Sequence, residues 1–194
     1  MIHNGLDDIV VAATVLSDVD GAAGRLVIRG HDLGELAGRQ SFEQVLHLLW
    51  QGFFAALPDP AELTARLGAA RAGVYARVEP LLPALAQRPV YDGMRAGLAL
   101  LEDGTTLDDA LRLVAAPAVL TPALLRLQAG GAPLPPDPAL GHAADVVRML
   151  EAGSFPLDSV ITQTVDFAAA AEAFRQWSET PASVTKIQLA IGDD

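Results

Sequence analysis

Apolar side chains along this sequence occur in blocks that are interrupted by Pro and Gly, and most blocks are long enough for a helix. Local signals predict where these helices begin, namely at Ser41, Asp59, Pro80, Asp92, Thr106 and Asp137. Ser41 opens a capping box, because Gln44 follows at the third position of the helix, and Thr106-x-x-Asp109 starts a long helix. The apolar positions often occupy more than one face, which is typical of helices buried among others or lying at a subunit interface.

Local sequence signals also predict where the helices end. The expected ends lie near Gly52, Val78, Leu101, Gly130 and Gly153. Pro117 and Pro122 fall inside the helix that precedes Gly130, and we expect them to kink it. The chain is therefore predicted to be mainly α.

Two segments have a strand pattern instead. Residues 17–33, SDVDGAAGRLVIRGHDL, read as a β-hairpin in which DGAAG is the turn and RLVIRG the returning strand. A calcium loop fits poorly, because Ala22 and Ala23 stand where an oxygen ligand and a glycine are needed. Gly21-x-x-Gly24 is no phosphate-binding loop either, since no Lys-Ser/Thr follows it. Near the end, residues 159–165, 167–179 and 183–191 read as strand, helix and strand, a small α/β tail.

Composition narrows the class of protein. The 194 residues are 51% hydrophobic and carry a formal net charge of −11 with no cysteine. A strongly acidic chain offers no cationic face for nucleic acid, and the lack of cysteine excludes disulfides and thiolate chemistry. The sequence also shows no signal peptide and no apolar run of about 18 residues, so we expect no membrane partner and a cytoplasmic location. No metal site is predicted.

The order of residues in the first quarter resembles the citrate synthase family, including the methylcitrate synthases. The matching elements are Gly5-Leu6, Val11-Ala12, Thr14, Ser17, Asp20-Gly21, Gly24-Arg25-Leu26, Arg29-Gly30, Asp32-Leu33, Leu36-Ala37, Ser41-Phe42-Glu43 and Leu48-Leu49-Trp50. Fainter similarity follows in RPVYDGMRAGLALLEDG and in ALRLVAAPAVLTPALLRLQAGGAPLPPDPALGHAADVVRML. The resemblance covers residues 5–150 and implies a short β-ribbon that leads into a helical scaffold.

The resemblance also implies an activity of the tricarboxylic acid cycle, the condensation of acetyl-CoA with a 2-oxo acid. The family's chemistry depends on a histidine before a helix, a second histidine in a His-Gly-Gly stretch and a late aspartate, and these motifs do not occur in the 194 residues. Instead, Gly153, Ile161-Thr162, Ala170, Glu172-Ala173-Phe174 and Lys186-Ile187 resemble the C-terminal end of medium-chain, zinc-type alcohol dehydrogenases. We therefore expect a truncated citrate synthase-like domain over 1–150 and a dehydrogenase-like tail over 151–194.

Few residues remain as candidates for chemistry. His31 and His142 are the catalytic candidates, although packing or capping is the structural alternative for each. Arg25 and Arg29 are the candidates for binding substrate carboxylates, because their even spacing on the predicted strand would place both on one face. Salt bridges from these arginines to Asp18 or Asp20 are the alternative interpretation.

Three hypotheses about function follow. The first is a catalytically incomplete family member that acts as a homodimer, or as a hetero-oligomer with a full-length homologue. The second is an active acyltransferase that makes citrate and free CoA with repurposed residues or a partner's catalytic half. The third is a folded remnant of a gene fusion. In the first two cases acetyl-CoA is the expected substrate, and no tightly bound cofactor is expected.

Overall fold

The computed structural model describes residues 14–151, 163–180 and 187–190. The chain divides into two compact units, one ending at Met149 and the other beginning at Leu150. The first unit is a small antiparallel ribbon followed by helices, and the second is an α/β unit. The prediction of a mainly α chain with an N-terminal hairpin and a strand-helix-strand tail is confirmed.

The ribbon has one strand more than the predicted hairpin. Strands β1 (Ser17–Asp20), β2 (Arg25–Ile28) and β3 (His31–Asp32) pair antiparallel in the order β1-β2-β3. Gly24 adopts a φ of 64° in the first turn, where glycine costs little. The second turn passes through Arg29 at a φ of 50° and Gly30 at 86°.

Seven helices follow the ribbon. They are α1 (Leu33–Leu36), α2 (Phe42–Trp50), α3 (Pro60–Val78), α4 (Leu82–Leu85), α5 (Val90–Leu98), α6 (Leu107–Gln128) and α7 (His142–Glu151). A short 3-10 helix (Glu79–Leu81) links α3 to α4. The predicted capping box at Ser41 is present, since Ser41 accepts a hydrogen bond from Gln44 N. The structure also shows a capping box at Thr106, the predicted start of the long helix, where Thr106 accepts a hydrogen bond from Asp109 N.

Two predicted helix starts are wrong. Helix α5 begins at Val90 after Pro89, and Gly93 N donates to Pro89 O, so Asp92 lies in the first turn instead of capping it. Helix α7 begins at His142, not beside Asp137. The carboxylate of Asp137 accepts a hydrogen bond from Ala139 N and so closes a local turn, which competes with helix formation.

Helix α6 forms the centre of the first unit. Pro117 and Pro122 lie within it, yet it continues as one helix from Leu107 to Gln128. Its buried side chains pack with those of α2, α3 and α4 in a cluster of Leu46, Leu63, Leu67, Val74, Val78, Leu82, Leu111, Ala115, Ala116, Val119, Leu120, Ala123 and Leu124. Among the described residues, α6 is the helix with the length and composition to cross a membrane, at a mean hydropathy of 1.5. Its place in this core accounts for that composition.

The second unit contains two short parallel strands and a helix. Strands β4 (Gln163–Asp166) and β5 (Ile187–Ala190) pair in parallel, with Gln163 opposite Ile187. A 3-10 turn (Phe167–Ala169) and α8 (Ala170–Glu179) follow β4. The remaining parts of the predicted tail strands, 159–162, 183–186 and 191, lie outside the described residues.

Candidate functional site

The most concentrated group of buried charges lies where α2, α3 and α7 meet. We call this group the α2–α3–α7 junction. It consists of four polar residues that are each less than 10% exposed, namely Glu43, Arg71, His142 and Asp145. Glu43 is in the first turn of α2, Arg71 is in the middle of α3, and the other two belong to the first turns of α7. The segment between α6 and α7 completes it with backbone groups.

Arg71 is at the centre of the junction and is fully buried. Its Nε donates to Asp145 Oδ2 at 2.8 Å, and its Nη1 lies 3.4 Å from His142 Nδ1. Its Nη2 donates to two backbone carbonyls, Leu140 O at 2.7 Å and Asp137 O at 3.2 Å. A buried guanidinium is stable only when its charge and its donors have partners, and here α7 and the segment before it supply them.

Asp145 balances the charge of Arg71 and is itself fully buried. Its carboxylate also accepts the backbone N–H of Asp137, at 3.0 and 3.1 Å, and two bonds from Arg148, at 3.1 and 2.9 Å. Arg148 in turn donates to Pro135 O at 2.6 Å. One carboxylate therefore connects α3, α7 and the proline-rich segment between α6 and α7.

His142 occupies the N-terminus of α7 with its ring against α2. The ring stacks on Phe42 with centroids 4.4 Å apart, and the backbone N–H of His142 donates to Glu43 Oε1 at 2.6 Å. Because arginine is always a donor, Nδ1 of His142 faces Arg71 as an acceptor, which assigns the proton of the neutral ring to Nε2. Burial lowers the pKa of His142 and the charge of Arg71 lowers it further, whereas Glu43 and Asp145 act in the opposite direction.

His31, the other catalytic candidate, has a different environment. It lies in β3 with a half-exposed side chain, and its Nδ1 is 3.5 Å from Glu35 Oε2. His142 instead has its partners on α2 and α3. The two histidines thus have separate neighbours, and the structure gives them no shared acid–base arrangement.

The two candidate arginines also have separate structural partners. Arg25 Nε donates to Asp32 Oδ1 at 2.9 Å, so the ion pair forms with β3 and not with Asp18 or Asp20 as the alternative interpretation expected. This hydrogen bond raises the pKa of Arg25. Arg29 is not on the strand, because β2 ends at Ile28 and Arg29 turns the chain with a positive φ. The expectation that both arginines share one strand face is therefore wrong.

Arg29 instead caps the C-terminal end of α2 by donating to its carbonyl groups. Its Nε donates to Leu48 O at 3.2 Å, its Nη2 donates to Gln51 O, and its guanidinium carbon lies 5.6 Å from the centre of the Phe53 ring. Carbonyl groups at a helix C-terminus lack intrahelical partners and attract cations. Arg29 thus joins the ribbon to α2.

The described residues include surface grooves that are large enough for small molecules. One of about 350 Å³ is apolar and is lined by Leu16, Leu49, Trp50, Phe53 and Phe54. A second, of about 480 Å³, is lined by Pro83, Ala86, Gln87, Arg88, Pro89, Leu127 and Gln128. The third, of about 280 Å³, is lined by Arg66, Ala69, Ala70, Asp108, Leu111 and Arg112. None of these three grooves includes a candidate histidine.

Sequence reasoning did not identify Arg71 or Asp145. Arg71 stands in GAARAG within an Ala-rich helix, and such an arginine is usually solvent-exposed. Its carboxylate partner lies 74 positions further along the chain. The only signal in the sequence is an arginine on the same helix face as Leu67, Val74 and Val78, which a search for buried charges on apolar faces would have found.

Comparison with known proteins identifies relatives over most of the chain. The family model described as "Citrate synthase, C-terminal domain" matches residues 5–175. The chain is 36% identical over 184 residues to citrate synthase of Haloferax volcanii, covering 86% of this chain and 47% of that protein. It is 32% identical over 174 residues to 2-methylcitrate synthase of Mycobacterium tuberculosis, covering 83% of this chain and 43% of that protein.

A solved structure shares the fold. Citrate synthase from Thermotoga maritima superposes with a TM-score of 0.65 at 23% identity, covering 80% of this chain and 43% of that chain. The chain therefore spans less than half the length of these relatives. The family match to residue 175 extends 25 residues beyond the boundary at 150 that the sequence suggested.

Proposed function

Because the chain belongs to the citrate synthase family, we propose that it provides the helical scaffold of this fold as a non-catalytic or partner-dependent oligomeric subunit. The family reaction condenses an acyl-CoA with a 2-oxo acid, and that chemistry needs an acid–base pair and cations placed at the substrate. In this proposal the described part of the chain supplies structure, and another chain supplies those groups.

The burial and pairing of His142 carry this proposal. A general base must reach a substrate proton with a free lone pair. His142 is 7% exposed, and its imidazole lies against Phe42 and directs Nδ1 toward Arg71. His142 therefore supports the helix junction in this proposal, and the half-exposed His31 pairs with Glu35.

The arginines support the same interpretation. Substrate carboxylates need cations with free donors. Arg25 is paired with Asp32, Arg29 with the end of α2 and Arg71 with Asp145. All three guanidinium groups thus serve contacts within the first unit, and acetyl-CoA and a 2-oxo acid would bind to a complex in which the partner provides the anion-binding side chains.

The partner in this proposal is a second copy of the chain or a full-length homologue. The groove of Leu16, Leu49, Trp50, Phe53 and Phe54 is an apolar surface, and Phe53 is 59% exposed. Surfaces of this kind often mark subunit contacts. No tightly bound cofactor is required, since acetyl-CoA acts as a substrate.

The experiment measures CoA release from acetyl-CoA and oxaloacetate with a thiol reagent. The chain has no cysteine, so it adds no background. We expect no turnover by the chain alone. We expect affinity-tagged chain to retain a full-length citrate synthase and to change its turnover per active site. A homologue inactivated by substitution of its catalytic histidine is the control, and it should bind the chain without gaining activity.

The other outcomes select the alternatives. Turnover by the chain alone that persists through repurification would overturn the scaffold proposal and support an active acyltransferase. His31→Asn and His142→Asn would then show which histidine acts. Turnover restored to the inactivated homologue would show that this chain contributes catalytic groups. A chain that aggregates and has neither activity nor partner would support a folded remnant.

A further inference from the structure

The α2–α3–α7 junction contains one side chain whose ordinary pKa is close to neutral. We propose that the junction is a pH-sensitive contact, closed while His142 is neutral and opened when its imidazole is protonated. Acidification would then release the first turn of α7 from α2 and α3. This inference concerns the response of the fold to pH and does not depend on the proposed function.

The geometry requires a neutral ring. Nδ1 of His142 lies 3.4 Å from Nη1 of Arg71, and the guanidinium has only donors to offer. Protonation would place an N–H on Nδ1 directly against an N–H of Arg71. The contact would change from a hydrogen bond to a repulsion between two cations, and Arg71 is held in place by Asp145 and two carbonyls.

The charges around the ring come from three elements. Arg71 on α3 opposes protonation, whereas Glu43 on α2 and Asp145 on α7 favour it. Both carboxylates already have other bonds, because Glu43 Oε1 accepts the backbone N–H of His142 and Asp145 accepts Nε of Arg71. Arg148, the other charged residue of α7 in this region, is paired with Asp145. Neither carboxylate is hydrogen-bonded to the ring of His142.

Burial acts in the same direction as Arg71. The residue is 7% exposed and stacks on Phe42 at an interplanar angle of 19°. An imidazolium in this place would lose its hydration. Burial, followed by Arg71, therefore lowers the pKa of His142 from its ordinary value of 6.5. Because the pKa is lower in the closed state, closure is fully favoured above pH 6.5 and weakens as the pH falls.

Opening has a defined structural result. The backbone N–H of His142 would lose Glu43, and the covered face of Phe42 would become accessible. Helix α7 continues from the first unit, which ends at Met149, into the second, which begins at Leu150. The contact therefore controls the first turn of the helix that connects the two units along the chain.

Hydrogen exchange of the intact chain, followed by mass spectrometry at pH 5.5 and 7.5 and corrected for intrinsic rates, tests the proposal. We expect the opening equilibrium of the peptide around residues 141–146 to rise up to roughly tenfold at pH 5.5. His142→Asn retains a neutral acceptor and should remove this response. His31→Asn alters a half-exposed histidine and should preserve it.

Two results would overturn the proposal. One is equal protection of this peptide in the wild-type chain at both pH values. The other is an unchanged pH response in His142→Asn, which would assign the effect to carboxylates. If that variant does not fold, the ring of His142 can be titrated by NMR in the wild-type chain. A midpoint at or above 6.5 would then contradict the proposal, and a midpoint below 6.5 accompanied by loss of protection would support it.

Discussion

Two Arg–Asp ion pairs in the first unit have almost the same length and very different surroundings. Arg71 Nε and Asp145 Oδ2 are 2.8 Å apart and both side chains are fully buried. Arg25 Nε and Asp32 Oδ1 are 2.9 Å apart, with side chains that are 60% and 54% exposed. The comparison shows that distance alone does not rank such pairs, because water screens the second pair and not the first.

The consequence concerns what each pair does for the fold. Removing one partner of a buried pair leaves an uncompensated charge, which is costly even where the pair itself adds little net stability. The junction therefore works mainly as a constraint, since α3, α7 and the intervening segment must assemble together. The exposed pair connects neighbouring strands of the ribbon, where either partner can return to water.

The largest expected effect comes from Arg71→Ala. The substitution leaves Asp145 buried without its main cation and removes the hydrogen-bond donor of two carbonyls, Asp137 O and Leu140 O. We therefore expect a loss of about 3–5 kcal/mol in the free energy of unfolding. Urea titration followed by Trp50 fluorescence in a Trp177→Phe background would report on the first unit alone, because these are the two tryptophans of the chain. A loss below about 1 kcal/mol would mean that breaking the buried pair costs no more than breaking an exposed one, which would contradict this comparison.

Gly68→Ala tests the close approach of the α3 backbone to Pro138, beside the α2–α3–α7 junction. A Cβ at Gly68 would lie 2.2 Å from Pro138 O, a backbone atom that cannot move alone. We expect a loss of about 1–3 kcal/mol. The matched control is Gly73→Ala on the same helix, where the Cβ meets nothing within 4 Å and should stabilise α3 by about 0.5–1 kcal/mol. Equal effects in the same urea assay would contradict this packing.

Thr106→Ala examines a polar contact at an exposed helix end. The Thr106 hydroxyl accepts from Asp109 N at 3.2 Å and donates to Asp109 Oδ2 at 2.6 Å, so its removal should cost about 1 kcal/mol at pH 7. Hydrogen bonds from Thr106 lower the pKa of Asp109 below 3.8. A lowered pKa gives stability that is present above pH 3.8 and is lost on acidification.

Urea unfolding of Thr106→Ala and of the wild type at pH 7 and at pH 3.5 would check the direction of this pH dependence. The difference in stability between wild type and Thr106→Ala should shrink at the lower pH. A difference that grows on acidification would show that the carboxylate of Asp109 does not take part in the cap.

The smallest expected effect is that of Arg25→Ala. Both partners of this pair are more than half exposed and salt screens them, so we expect a midpoint in urea that equals the wild-type midpoint within error. This substitution is the counterpart of Arg71→Ala, with the same change of side chain. A loss as large as that of Thr106→Ala would mean that the ribbon depends on the pair and that exposure is a poor guide here.

Much of the fold could be predicted because its signals are local. The capping boxes at Ser41 and Thr106 each involve residues three positions apart, and the turn of the hairpin lies within five residues. A local signal for a helix start fails where a nearby residue offers a competing interaction. Pro89 precedes Asp92 and starts α5 earlier, and Asp137 forms a turn with Ala139 instead of capping α7.

The candidate site was the least predictable part for the opposite reason. Arg71 and Asp145 acquire their roles from contacts across 74 positions, and the apolar face that carries Arg71 does not indicate which residue is its partner. His142 was noted in the sequence, but its burial against Phe42 depends on how α2 meets α7. A single sequence contains the residues of such a junction without showing that they meet.

The long separation within the junction also governs when it can form during synthesis. Ribosomes add about 5–20 residues per second, so Asp145 follows Arg71 by roughly 4–15 seconds. Throughout that interval α3 carries a cation that must stay hydrated, although the leucines and valines beside it already favour burial. We therefore expect final docking of α3 to wait for the emergence of α7, so that a nascent chain stalled before residue 145 keeps Arg71 in contact with water, whereas the folded chain buries it fully.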